Sequence, residues 1–181
     1  LRDVVCDFPF KTKAHLASWI AAVLTPIARE AYRGPTSPLY LLDANVRGSG
    51  KSLLGDLASL IVEGKEATRF TAPQNDEESR KRITALVEQS DRVVLIDNIV
   101  GRFGCASLDA ALTGTVWKDR RLGHSTMVEA PLRMTWLASG NNVVLAADTA
   151  RRVCHVRLES GMENPEDREG TVHAKGCADL S

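Results

Sequence analysis

The stretch Leu39-Tyr40-Leu41-Leu42-Asp43-Ala44-Asn45-Val46-Arg47-Gly48-Ser49-Gly50-Lys51-Ser52-Leu53-Leu54 decides the fold. It opens with a short continuous apolar run, the pattern of a strand buried on both faces. A turn with glycine at 48 and 50 follows, and then a helical pattern from about Lys51 to Glu63. That helix carries Leu53, Leu54, Leu57, Leu60 and Ile61 on one side, and Gly64 is a natural stop. Backbone N–H groups of such a turn converge with the unpaired N–H groups of the helix start, and the helix dipole adds positive potential. The result is a cradle for phosphate. Gly48 and Gly50 allow the backbone angles and close approach it requires. Lys51 is spaced to reach the β- and γ-phosphates of a nucleotide, and Ser52 to ligate Mg²⁺. Asn45, Val46, Arg47, Gly48, Ser49, Gly50, Lys51, Ser52 and Leu53 are therefore the candidate nucleotide-binding residues. The usual spacing puts glycine where this chain has Asn45; asparagine is the next-best residue for positive φ, and Asn45 is expected to serve that way.

Outward from this stretch, short apolar runs recur at Thr68–Thr71, Val93–Ile96, Met134–Ala138 and Val153–Leu158. Between Thr68–Thr71 and Val93–Ile96, Asn75 and Glu78 form a capping-box-like start to a stripe of Ile83, Leu86 and Val87. Strands alternating with helices predict βαβ units, hence an α/β fold with a mainly parallel sheet and helices on both faces. Upstream, Leu16, Ile20, Val23, Leu24, Ile27 and Ala31 mark a helix over 14–32, which Pro26 is expected to kink or split. Gly34-Pro35 and Ser37-Pro38 then break the pattern. This divides the chain into a helical segment over 1–35, a core over 36–160 and a polar tail or linker over 161–181.

The 181 residues suffice for one domain, and 44% apolar with 25% charged residues is ordinary globular composition. A formal net charge of zero means that any nucleic-acid contact must come from a local cluster. Apolar stretches are interrupted well before the roughly 18 residues of a membrane span, and no leader pattern precedes the first helix. A cytoplasmic protein without a membrane partner is expected. Leu1 at the start and the polar end read as a piece of a longer polypeptide. Cys6, Cys105, Cys154 and Cys177 lack paired spacing and read as reduced thiols; a zinc set from Cys154, His155, His173 and Cys177 lacks ligand spacing.

A magnesium nucleotide site also needs a carboxylate at the end of a neighbouring strand. Val93-Val94-Leu95-Ile96-Asp97 supplies one, so Ser52 and Asp97 are the candidate metal residues. Asn98 follows; its amide can orient a water but cannot accept its proton, so another base such as Asp109 is needed for fast hydrolysis. The run Leu132–Ser139 ends in Gly140-Asn141-Asn142, where Asn141 is either a γ-phosphate contact or part of an ordinary turn. Arg151-Arg152, after Asp148-Thr149-Ala150, is either a solvated basic pair or the source of a guanidinium that stabilises charge on a transferring phosphoryl group. The catalytic candidates are thus Lys51, Asp97, Asn98, Asn141, Arg151 and Arg152.

In this order the motifs resemble the motor domain of superfamily 3 helicases and their AAA+ relatives, and more narrowly the helicase modules of phage and plasmid primase-type replication proteins. The residues that carry the likeness are Gly48–Ser52, Leu95–Asn98, Ser139–Asn142 and Asp148–Arg152, within about 36–168. The resemblance implies a three-layer P-loop NTPase with a five-stranded sheet in the order 5-1-4-3-2. It also implies ATP and Mg²⁺ as cofactors, a ring (usually hexameric), and primase or other replication domains on the same chain. The activity implied is an ATPase that unwinds or translocates along DNA; an ATP-switched assembly or loader module and a small-molecule kinase are the alternatives. The family also carries a β-hairpin that touches DNA. The matching stretch, Val116–Val128, holds Lys118, Arg120, Arg121 and His124, which either contact DNA phosphates or form a solvated surface.

Overall fold

The computed structural model, which describes residues 1–31, 37–121 and 126–161, has helix α1 at Lys13–Ala31, β1 at Leu39–Ala44, α2 at Lys51–Glu63, β2 at Thr68–Thr71 and α3 at Asp76–Gln89. There follow β3 (Val93–Ile99), β4 (Arg102–Phe103), α4 (Ala106–Thr113), β5 (Val116–Arg120) and β6 (Met127–Pro131). The described chain closes with β7 (Thr135–Asn141), β8 (Val144–Leu145), α5 (Ala147–Ala150) and β9 (Val153–Leu158). The expected boundaries of α2, β2 and β9 coincide with the observed ones. At α3 the Asn75 side chain accepts a hydrogen bond from the Glu78 backbone N–H at 2.9 Å, so the cap is where the sequence puts it.

The main sheet has the order β2-β3-β7-β1-β9, and every neighbouring pair is parallel. In whole-chain strand numbers this differs from the expected 5-1-4-3-2, because β4, β5, β6 and β8 intervene and form two separate two-stranded sheets. Counted among the five sheet strands alone, the direction from β9 to β2 reads 5-1-4-3-2.

Alternation along β1 sends its side chains into two cores. Leu39 and Leu41 join Ile83, Leu86 and Leu108 from α3 and α4, with Trp136. Tyr40 and Leu42 join Leu16, Trp19, Leu54 and Ala58 from α1 and α2 on the other face. Helices therefore cover both faces, which is why the strands are almost continuously apolar. Gly55 lets α2 lie close on the sheet: a Cβ there would come within 3.1 Å of Leu95.

Of the two outcomes expected at Pro26, a kink or a split, helix α1 does not show the split. It runs unbroken through Pro26, whose ring is buried. The missing N–H costs one intrahelical bond, and the burial of Trp19, Ala22 and Val23 against the sheet holds the turns on either side together. Ahead of it, Phe10 bridges Leu158 and the Lys11 N–H donates to Arg157 O at 2.9 Å, so the N-terminal segment lines the β9 edge. Among the described residues no helix is long and apolar enough to cross a membrane. Cys6, Cys105 and Cys154 are free thiols, and the described residues hold no cluster of three His, Cys, Asp or Glu fit for a metal; Cys177 lies outside them.

Candidate functional site

The three central strands end together. Ala44, the last residue of β1, is paired in register with Asn141 at the end of β7. Asp97 lies on the adjacent strand β3, opposite Thr71 of β2. The turn Asn45–Gly50 leaves this edge and enters α2, whose first residue is Lys51. Gly48 and Gly50 have φ of 69° and 82°, left-handed values that favour glycine. A Cβ on Gly50 would also meet the Phe8 ring at 2.6 Å, so the turn is packed under the N-terminal segment. Asp7, Phe8 and Pro9 line a cavity of about 260 Å³ with Gly48, Ser49, Gly50 and Leu53.

Asp97 is the hub of the polar contacts. Its Oδ1 accepts from the Ser52 hydroxyl at 3.0 Å, from the Asn98 N–H at 2.9 Å and from the Ser139 hydroxyl. Burial by itself raises the carboxyl's pKa, but these three donors and the nearby Arg69 outweigh it and hold the group below the ordinary carboxylate value. Asp97 is thus an anion beside Ser52. Lys51 is buried, and its Nζ donates to Val46 O at 3.4 Å. Burial lowers its pKa, opposed by Asp43 and Asp97. A cationic amine, an anion, a hydroxyl and a glycine turn thus meet at one edge of the sheet. Asn141 adds a buried Oδ1 that has no hydrogen-bond partner, a group that a ligand or its water shell would satisfy. Ser52 and Asp97 supply hard oxygen donors of the type Mg²⁺ takes, so these residues fit the metal and the phosphates.

Two expectations about asparagines change. Asn45 is not among the residues with positive φ. Its amide instead donates to Ser160 O at 2.9 Å and accepts from Ser160 N at 3.1 Å, tying the turn to the end of β9. Asn98 and Asn142 are the asparagines with left-handed backbones, φ 58° and 49°, and Asn98 lies at a bulge where the β3–β7 register shifts between Ile96 and Ile99. The Asn98 side chain is exposed.

Arg151 and Arg152 are not brought to this edge. Leu39, at the start of β1, donates to Arg152 O, which places the pair at the other end of the strand from the Gly48–Ser52 turn, about 17 Å along it. Arg152 donates to Asp148 O at 2.5 Å and lies 3.7 Å from the Asp109 carboxylate, while Arg151 is exposed. Asp109 also accepts from the Thr149 hydroxyl, so this candidate base is engaged between α4 and α5.

The expected hairpin forms, with Val116 opposite Pro131 and Arg120 opposite Met127 in an antiparallel ladder. Its tip, including His124, lies outside the described residues. Lys118 pairs with Glu129 across the ladder at 2.8 Å, and Arg121 pairs with Glu88 of α3 at 2.5 Å. Arg120 is exposed and has no ion pair among the described residues. Asp119 is buried and accepts from Arg80 and Thr84 of α3, and Trp117 Nε1 donates to Thr84 Oγ1 at 2.9 Å. The hairpin is thereby fastened to α3. Arg80 takes part in that joint, Lys81 pairs with Glu77 and Glu78, and Arg82 lies over the Phe70 ring.

Four residues around the site were given no role from the sequence, although Ser139 lies within the Ser139–Asn142 motif. Ser139 binds Asp97. Asp43, buried under the turn, accepts from Arg157, whose other nitrogen donates to Asn142 at 2.8 Å. Arg69 of β2 lies between Asp56, at 2.5 Å, and Asp97, at 3.4 Å. The parallel register would have placed Arg157 opposite Asp43, had the strand order been taken that far.

Fold and site together define an α/β protein with a parallel five-stranded sheet and a polar constellation at the carboxyl edge of its central strands. No family model matches the sequence, and no curated protein matches it. Solved structures do. The A-form apo structure of the NrS-1 C-terminal region superposes with a TM-score of 0.54 and 15% identity over 99% of this chain and 40% of that one. The A-form apo structure of the same region described as 305–718 gives 0.56 and 17% identity over 98% and 40%. At such identities the likeness is one of fold alone, and the chain spans about 40% of the length of these neighbours.

Proposed function

We propose that the chain is the ATP-binding and hydrolysing motor domain of a phage- or plasmid-type DNA replication helicase. The observation that carries the reading is the 3.0 Å hydrogen bond from Ser52 to an ionised Asp97, beside a left-handed glycine turn and a buried lysine. In this reading backbone N–H groups of Gly48–Ser52 receive the phosphate oxygens. Lys51 exchanges its single 3.4 Å contact with Val46 O for the β- and γ-phosphates. Ser52 and Asp97 hold Mg²⁺, which supplies neutralisation of phosphate charge. The Asn141 Oδ1, now unpartnered, accepts from or orients the water that attacks. The cavity beside Phe8 and Pro9 is open to the nucleoside. DNA is the proposed partner of the hairpin, with Arg120 the cation most free to meet it.

The test is ATP turnover with and without single-stranded DNA. Wild type is expected to hydrolyse ATP and to speed up with DNA at low salt. Lys51→Ala is expected to lose on the order of a hundredfold in turnover, the scale of removing one preorganised charge-stabilising donor. Wild type that neither binds ATP nor responds to DNA sinks the reading. Asn98 favours a second one, an ATP-switched module with little turnover, because an exposed amide cannot take the proton of the attacking water. Tight ATP binding with negligible hydrolysis selects it.

A further inference from the structure

Of the polar contacts around Asp97, one does not come from a motif. Three donors converge on its Oδ1, from Ser52, Ser139 and the Asn98 backbone. The other oxygen, Oδ2, faces the Arg69 guanidinium at 3.4 Å. The same guanidinium is held more closely by Asp56 of α2, at 2.5 Å through its second nitrogen. Asp56 follows Ser52 by one helical turn, so both stand on the same side of α2. Arg69 thus has a firm anchor and a looser contact, and the looser one is to the carboxylate beside Ser52.

We infer that Arg69 is a resident counter-ion that competes with the divalent metal for Asp97, with Asp56 as the anchor that receives it when the metal arrives. The inference rests on the nucleotide-site reading above. A cation within about 4 Å of Oδ2 opposes the approach of a second cation, and the side chain is 40% exposed, so water screens part of the effect. Because Asp56 keeps the guanidinium within reach, the arrangement can give Asp97 to the metal and take it back without a change of rotamer at Asp97, whose Oδ1 stays fixed. Arg69 is a positioning residue, acting through Asp97 on metal occupancy.

The test is a metal titration of binding. A fluorescently labelled, non-hydrolysable ATP analogue is bound to the protein in EDTA, and Mg²⁺ is then added while anisotropy is read. Arg69→Gln is expected to lower the half-saturating Mg²⁺ roughly three- to tenfold and to leave affinity in EDTA within about twofold. Asp56→Asn releases Arg69 toward Asp97 and is expected to shift the half-saturation the other way. Arg69→Lys, which keeps the charge, should stay near wild type. An Arg69→Gln midpoint that is unchanged or higher overturns the inference while leaving the nucleotide site standing. A large loss of affinity in EDTA would make Arg69 a phosphate ligand and overturns it too. Wild type whose nucleotide binding ignores Mg²⁺ removes both the inference and the reading beneath it.

Discussion

Asn98 shows how one side chain answers to its backbone before it answers to chemistry. Its φ of 58° lies in the left-handed region, where asparagine and glycine are at home and longer side chains cost about 1 kcal/mol. A glutamate there would put a base where the proposed hydrolysis needs one and strain the bulge between Ile96 and Ile99. Asn98→Glu is therefore expected to lower unfolding free energy by about 1 kcal/mol in urea denaturation, whereas Asn98→Gly should change it by less than about half that. Equal stability of the two variants would mean that the bulge relaxes. Asn45 is the converse case. The sequence marks it as the odd residue of the turn, but whether an asparagine supplies a backbone angle or an amide depends on what lies opposite. Here that is Ser160, 115 residues away. The Asp43–Arg157 pair was invisible for the same reason, since its partners meet only once β1 and β9 are neighbours.

Among the elements, those with a full period of apolar residues were legible, and α2, β2 and β9 end where their patterns end. The two-residue strands β4 and β8 were not, because two residues carry no period and pair only through tertiary placement. Pro26 does not split α1, because packing on either side outweighs the one lost hydrogen bond. The hairpin was legible as a hairpin, but not its attachment: Asp119 sits inside a charge run and turns out to be buried against α3. Burial raises its pKa, yet Arg80, Thr84 and the Arg120 N–H overcome this and depress it. A depressed carboxylate contributes stability above its unfolded pKa, and that contribution disappears as pH falls through the folded value. Asp119→Asn is accordingly expected to cost about 1–2 kcal/mol at neutral pH. It should also flatten the fall in melting temperature as pH drops below about 4, where the unfolded carboxylate takes up its proton. A parallel acid limb in wild type and variant would show that the joint does not titrate.

At the scale of the molecule, the edge that carries the Gly48–Ser52 turn and the arginine pair occupy opposite ends of the sheet. Leu39 and Ala44 bracket β1, the first beside Arg152 and the second beside Asn141. About 17 Å of strand separates them, more than an arginine side chain spans, so Arg152 cannot serve the Lys51 site of its own chain. If it serves a site at all, that site belongs to another copy. The contact with Asp109, 3.7 Å at partial exposure, is loose enough to be exchanged for such a partner. Under the proposed function that condition implies a head-to-tail arrangement, in which each interface would take Lys51 from one copy and Arg152 from the next. Lys51→Ala and Arg152→Ala are each expected to be inactive alone. Mixed in equal amounts and allowed to exchange, they should recover about a quarter of wild-type turnover. Half of the sites keep Lys51, and half of those face an intact Arg152. Steady-state ATPase across a mixing series would trace a curve with its maximum near equal proportions. A flat series from two inactive variants would place Arg152 outside the reaction, and an active Arg152→Ala alone would do the same more simply.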